Sequence, residues 1–146
     1  MGPEGRRAMT IDEIDETFLG KLIAAARTAR AAAYAPYSDY RVGSAIATDD
    51  GRIFTGCNVE NASYGATICA ERMAIGAMVV AGASKPVAIA IVTGGSKPGS
   101  PCGMCRQVLV EFTRDMPVVL VAETDAGDVR RDTTLAEVMP DVFELE

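Results

Sequence analysis

The chain of 146 residues contains no histidine. That absence removes Ser-His and Cys-His nucleophilic pairs and every histidine-built metal site. A metal here must lean on cysteine and carboxylate. No apolar run approaches the ~20 residues that a membrane span needs, so no membrane partner is expected. No secretory signal is recognisable: Arg6 and Arg7 lead into the acidic stretch Asp12-Glu13-Ile14-Asp15-Glu16 rather than an apolar core. Nor is Met1-Gly2 a myristoylation start, because Arg6 stands where Ser or Thr is wanted. Positive charge is not in excess either. The 14 basic against 20 acidic residues give a net charge of −6, which disfavours a polyphosphate such as nucleic acid as partner. Internal repeats and low-complexity tracts are missing, apart from the alanine-rich stretch 24–35.

What is present suits one globular domain. The hydrophobic fraction is 49% and the charged fraction 23%, both ordinary for a folded protein that can close a core without disulfides. Residues 1–9 read as a loose leader and 10–146 as a single domain. Apolar residues at Ile14, Phe18, Leu22, Ala25, Ala26 and Ala29 recur with helical spacing, which predicts a helix over 14–34, ended by Pro36. A strand over 40–47, a turn at Asp49-Asp50-Gly51 and a strand over 52–57 form an antiparallel hairpin. Helices are predicted over 67–80 and from Pro101 to about Thr113, with strands over 87–92 and 117–122. A short edge strand over 128–132 and a short helix over 134–139 follow. The order implies an α/β fold: a mixed five-stranded sheet with helices on both faces. Ligands in such sheets bind near helix starts at strand carboxyl ends.

Four cysteines remain to be explained. A chain without a secretory signal is expected in the reducing cytoplasm, where closely spaced cysteines favour metal over disulfide. Cys102-Gly103-Met104-Cys105 opens a predicted helix. By itself it has three readings: half a zinc site, a redox dithiol, or two core cysteines. Cys69-Ala70-Glu71 lies at another helix start. Alone it reads as a buried cysteine beside a carboxylate that suits the helix dipole. Together the two segments match the zinc deaminase pattern, in which a ligand precedes a glutamate by two residues and P-C-x-x-C follows. Three thiolates on one divalent cation leave a formal charge of −1. The two helix N-termini would offset it, and Arg72 and Arg106 are the candidate cations for charge compensation. Asn58 and Glu60 stand at the end of a strand and supply an amide and a carboxylate suited to a ribose, while Cys57 beside them reads as packing. Other readings stay open: a deaminase for a different aminopyrimidine, a non-catalytic zinc domain, and a dithiol oxidoreductase.

Three segments resemble the cytidine deaminase family. They are 33–43 (Ala33-Tyr34-Ala35-Pro36-Tyr37-Ser38-Asp39-Tyr40-Arg41-Val42-Gly43), 56–72 (with Gly56-Cys57-Asn58-Val59-Glu60-Asn61-Ala62-Ser63-Tyr64 and Thr67-Ile68-Cys69-Ala70-Glu71-Arg72) and 100–109 (Ser100-Pro101-Cys102-Gly103-Met104-Cys105-Arg106-Gln107-Val108-Leu109). They are in register over 30–112 and are most similar to the three-cysteine, homotetrameric branch. The resemblance implies one Zn2+ per subunit on Cys69, Cys102 and Cys105, with Glu71 as catalytic proton shuttle. It implies a small pyrimidine nucleoside as partner, cytidine or deoxycytidine, deaminated to uridine or deoxyuridine with release of ammonia. Asn58 and Glu60 would bind the ribose 3′-hydroxyl. The backbone of Ala70 and Pro101 would orient the base. Tyr40 takes the place of a phenylalanine that stacks near the pyrimidine. Ala62 and Tyr64 would lie near the 5′-hydroxyl of a neighbouring subunit's ligand, and Phe143 resembles an aromatic that reaches a neighbour's site. The family usually has glycine after that aromatic; here Glu144 follows.

Overall fold

Alternation along the strands gives the sheet two buried faces. In β1 (Gly43–Thr48), β3 (Pro86–Thr93) and β4 (Pro117–Thr124), successive side chains point to opposite sides. Ala45, Ala47, Ala88, Ala90, Val92, Val119 and Val121 cluster with Leu22 and Ala26. Ile46, Ile89, Ile91, Val118 and Leu120 cluster with Ala74, Ile75, Met78 and Leu109. The computed structural model describes residues 13–146; the expected leader at 1–9 lies outside them. β2 (Ile53–Cys57) and β5 (Gly127–Thr134) complete a sheet of order β2-β1-β3-β4-β5, in which only β3 and β4 pair in parallel. This is the mixed five-stranded sheet expected from the sequence.

Helix α1 (Glu16–Ala31) covers one face. Asp15 caps it by accepting a hydrogen bond from the Phe18 amide at 2.8 Å. It stops three residues before the predicted end, because the Tyr34 amide turns away to the Asn58 carbonyl. The helix lies directly on the sheet at Gly43, where an added Cβ would stand 2.0 Å from the Ala26 carbonyl oxygen. Helices α2 (Ala70–Val80), α3 (Gly103–Val110) and α4 (Leu135–Val138) pack on the other face. α2 touches β2 closely at Gly56, where a Cβ would meet the Ala70 carbonyl at 2.4 Å. Among the described residues no helix is long and apolar enough to cross a membrane.

Register decides where a ligand can sit. Gly43 opens β1 and pairs with Cys57 at the end of β2 and with Val92 near the end of β3. The segments before β1, after β2 and after β3 therefore meet at one end of the sheet. Those segments are 32–42, 58–69 and 94–102; they carry Tyr40, Asn58, Glu60, Ala62, Tyr64, Cys69, Pro101 and Cys102 of the sequence-predicted site, and Ala70, Glu71, Arg72, Cys105 and Arg106 follow at the starts of α2 and α3.

Candidate metal centre and substrate pocket

Both helix starts at this end are cysteines. Cys69 is the N-cap of α2 and Cys102 the N-cap of α3, each with extended backbone. Cys105 lies one turn into α3 and is buried. Its amide donates to the Cys102 sulfur at 3.4 Å. The three Sγ atoms lie within 4.8 Å of one another, with Cys69 and Cys102 3.8 Å apart. Zinc–sulfur bonds of ~2.3 Å at a tetrahedral angle put sulfurs roughly 3.8 Å apart. All four cysteines are free thiols, so no disulfide competes for these atoms. The donor set is soft, closely grouped and seated on two positive helix ends, and it fits zinc. Cys57 stays outside the cluster.

The electrostatics single out Cys69. Its thiol is lowered to about 5, first by the hydrogen bond from Cys105 and then, against burial, by Arg72 and Cys102. Cys105 is pushed up, chiefly because it donates that hydrogen bond and is buried. Arg72 Nη2 lies 3.7 Å from the Cys69 sulfur and donates to the Thr67 carbonyl at 3.2 Å; its buried Nε has no hydrogen-bond partner in the protein. The other candidate cation is placed differently. Arg106 donates to the Pro101 carbonyl (2.7 Å), the Val138 carbonyl (2.6 Å) and the Ser100 hydroxyl (2.9 Å). Its guanidinium clamps the segment before α3 to α4, and the cysteine contact belongs to Arg72.

Beside the sulfurs opens a pocket of about 190 Å³. Its walls include Cys69, Cys102, Ala70, Glu71, Asn58 and Tyr40 from the sequence-predicted set, together with Val42, Thr67, Ile91, Thr93, Gly99 and Ser100. Glu71 is 4% exposed, and burial first of all raises its carboxyl above the ordinary range, with the Cys69 charge adding to this and a hydrogen bond with Cys105 opposing it. A buried carboxyl with a raised pKa thus lines the pocket two residues from a candidate metal ligand. Asn58 is 8% exposed. Its Nδ2 donates to the Tyr40 carbonyl at 2.8 Å and its Oδ1 accepts from the Val42 amide at 2.9 Å. That leaves one N–H and one lone pair for a ligand.

Glu60 lies in an adjoining hollow with Tyr37, Ser38, Asn61, Tyr64 and Thr67. It accepts from the Ser38 hydroxyl (2.5 Å) and from the amides of Tyr37 (2.9 Å) and Ser38 (3.2 Å). The Ser38 hydroxyl, ahead of the two amides, lowers its pKa. Ser38 Oγ also accepts from the Tyr40 amide at 3.0 Å. Ser38 thus joins Glu60 to Tyr40, a role sequence reasoning missed; its place inside the 33–43 segment was the available signal. Ala62 is exposed, and Tyr64, 79% exposed, packs edge-on against Tyr37 with ring centroids 6.3 Å apart. Phe143 is 72% exposed and stands apart from this pocket, beside Val142 and the end of α3. The Pro101 carbonyl accepts from Arg106, which leaves it one lone pair.

Comparison with known proteins agrees with this geometry. Residues 13–122 match the family model of the cytidine and deoxycytidylate deaminase zinc-binding region. The chain is 45% identical over 127 residues to a cytidine deaminase of Sporosarcina psychrophila, covering 86% of this chain and 91% of that protein. It is 42% identical over 126 residues to the cytidine deaminase of Mycobacterium tuberculosis, covering 83% and 86%. The crystal structure of cytidine deaminase from Burkholderia pseudomallei superposes with a TM-score of 0.78 at 45% identity, covering 85% of this chain and 98% of that one.

Proposed function

From the premise that this chain belongs to the cytidine and deoxycytidylate deaminase family, we propose that it hydrolyses the 4-amino group of cytidine and deoxycytidine, yielding uridine or deoxyuridine and ammonia in pyrimidine salvage. The observation that carries this reading is the cluster of Cys69, Cys102 and Cys105 beside buried Glu71 in a nucleoside-sized pocket. The three thiolates hold one zinc ion per chain. When bound, zinc acts as a Lewis acid that makes water a competent nucleophile near neutral pH.

Glu71 handles the protons. Its carboxylate takes the proton given up by the attacking water and delivers one to N3 of the base, which makes C4 electrophilic. It then takes the proton of the hydroxyl newly bonded to C4 and passes it to the amine, so that the C4–N bond breaks, the C4 carbonyl forms and ammonia leaves. Arg72 offsets the negative charge gathered by the sulfurs. The side chain of Tyr40 and the backbone of Ala70 and Pro101 place the base. Asn58 and Glu60 take the ribose 3′-hydroxyl, with Ser38 fixing the Glu60 carboxylate.

We further propose a cytoplasmic homotetramer with shared sites. A free three-thiol set needs a reducing compartment. Along α2, Met73, Gly76, Ala77 and Val80 are exposed at spacings of three and four, a small apolar stripe suited to a second copy. Ala62, Tyr64 and Phe143 stand outside the pocket of their own chain, where they would serve a neighbour's site. The test is zinc content and conversion of cytidine to uridine measured on one preparation. One zinc per chain with ammonia release supports the proposal, and metal-free protein that reduces insulin disulfides would replace it with a dithiol activity.

A further inference from the structure

Tyr40 and Gly99 come from different loops and meet at the pocket they both line. An ideal Cβ built on Gly99 would lie 2.5 Å from the Tyr40 hydroxyl oxygen and 3.2 Å from the Thr93 methyl carbon. Neither backbone is free to retreat. The Gly99 amide donates to Thr93 Oγ1 at 3.3 Å. The Tyr40 amide donates to Ser38 Oγ at 3.0 Å, and its carbonyl accepts from Asn58 at 2.8 Å. The phenol hydroxyl therefore occupies the space that any side chain at position 99 would need. The Tyr40 ring is partly exposed, so it forms a boundary between pocket and solvent.

We infer that Tyr40 and Gly99 are a size-matched pair that sets how large a base the pocket admits, the hydroxyl closing the wall against pyrimidine nucleosides that carry an added ring substituent. This rests on the nucleoside deaminase reading above. The physical reason is packing: the Tyr40 ring, carried on a backbone held by Ser38 and Asn58, faces a residue without a side chain, so an extra methyl group must turn the ring outward or displace a loop, and either costs binding energy. Removing the hydroxyl creates room on either side of it, for the ligand or for a side chain at 99.

The experiment is a double-mutant cycle with Tyr40→Phe, Gly99→Ala and the pair. kcat/KM is read for cytidine and for 5-methylcytidine, uridine affinity by calorimetry, and zinc content and Tm on each variant. Gly99→Ala is expected to lose about tenfold or more in cytidine kcat/KM and in uridine affinity, and Tyr40→Phe in the same chain to restore most of both. Tyr40→Phe alone is expected to narrow the preference for cytidine over 5-methylcytidine by about threefold or more, a ratio that general destabilisation would not move. Gly99→Ala with unaltered kinetics, no recovery in the double variant, or an unchanged substrate ratio in Tyr40→Phe overturns the pair. A wild-type chain that binds zinc but does not deaminate cytidine overturns the proposed function instead, and this inference with it.

Discussion

Asn58 Nδ2 donates to the Tyr40 carbonyl at 2.8 Å while its Oδ1 accepts from the Val42 amide at 2.9 Å. One buried side chain thus replaces a strand partner for the segment entering β1. Asn58→Asp keeps the acceptor and loses the donor, setting a carboxylate against the Tyr40 carbonyl. The expected cost is about 2 kcal/mol in urea unfolding, with a raised KM for cytidine, because a buried acceptor is left unpaired. Unfolding curves that overlay those of the wild type would contradict the bridging role.

Glu71 touches no part of the sheet hydrogen bonding, so its removal separates chemistry from folding. Glu71→Ala is expected to retain zinc and the native circular dichroism spectrum while kcat falls by ~10²–10⁴ or more. Near-normal turnover in this variant would remove Glu71 from the reaction.

Zinc removal should act on stability as well as activity. The three sulfurs come from two helix starts 33 residues apart in sequence, and a ligand bound only by the folded state raises the melting temperature. Chelation is expected to lower Tm and abolish turnover, and added zinc to restore both. Cys102→Ala is expected to lose the zinc-dependent part of Tm; a variant whose Tm still tracks added zinc would place the ion elsewhere.

Acid stability has a separate anchor in the β1–β2 hairpin. Burial alone would raise the Asp50 carboxyl, but hydrogen bonds from Arg52 and Thr48 outweigh it and hold it at about 2, below the ordinary 3.8. A depressed carboxyl stabilises the fold fully above the ordinary value and loses that contribution as pH falls from 3.8 toward 2. Asp50 lies just beneath the surface, so after screening its share is on the order of 1 kcal/mol. Asp50→Asn is expected to be less stable than wild type at pH 7 by that amount, with the gap closing as the pH falls through this window. A gap of constant size in urea titrations across it would refute the assignment.

Element type was largely legible because periodicity reports burial, and the sheet buries both faces. Boundaries went astray where side chains stand in for backbone partners. Tyr40, Arg41 and Val42 look like strand, yet all their backbone hydrogen bonds but that of the Val42 carbonyl, which accepts from the Asn58 amide, go to the Ser38, Asn58 and Arg30 side chains, so β1 begins only at Gly43. α3 ends at Val110 rather than near Thr113, because the Phe112 and Thr113 amides both turn back to the Leu109 carbonyl. It also begins at Gly103, two residues after Pro101, since Cys102 is the cap. β5 runs eight residues instead of five; its polar side chains hid it, and Arg130 and Asp128 spend their charges on Glu16 and Arg27 of α1.

The candidate metal ligands were legible because cysteine spacing is distinctive and histidine is absent. The other half of the pocket wall was not. Val42, Thr67, Ile91, Thr93 and Gly99 are ordinary residues whose meaning depends on which loops face each other. The hydrogen bonds of Arg106 were illegible for a related reason: adjacency to Cys105 in sequence does not tell which way a guanidinium turns, and here it turns to three oxygen acceptors.

Two helices here begin on cysteine, a poor acceptor for the amides of a first turn compared with serine or aspartate. Local helix stability is thereby surrendered at the two places where a soft ion would be grasped. A bound ion would tie both first turns together, so that occupancy and local order would rise and fall together. Hydrogen exchange in the opening turns of α2 and α3 would then serve as a gauge of metal loading that needs no substrate.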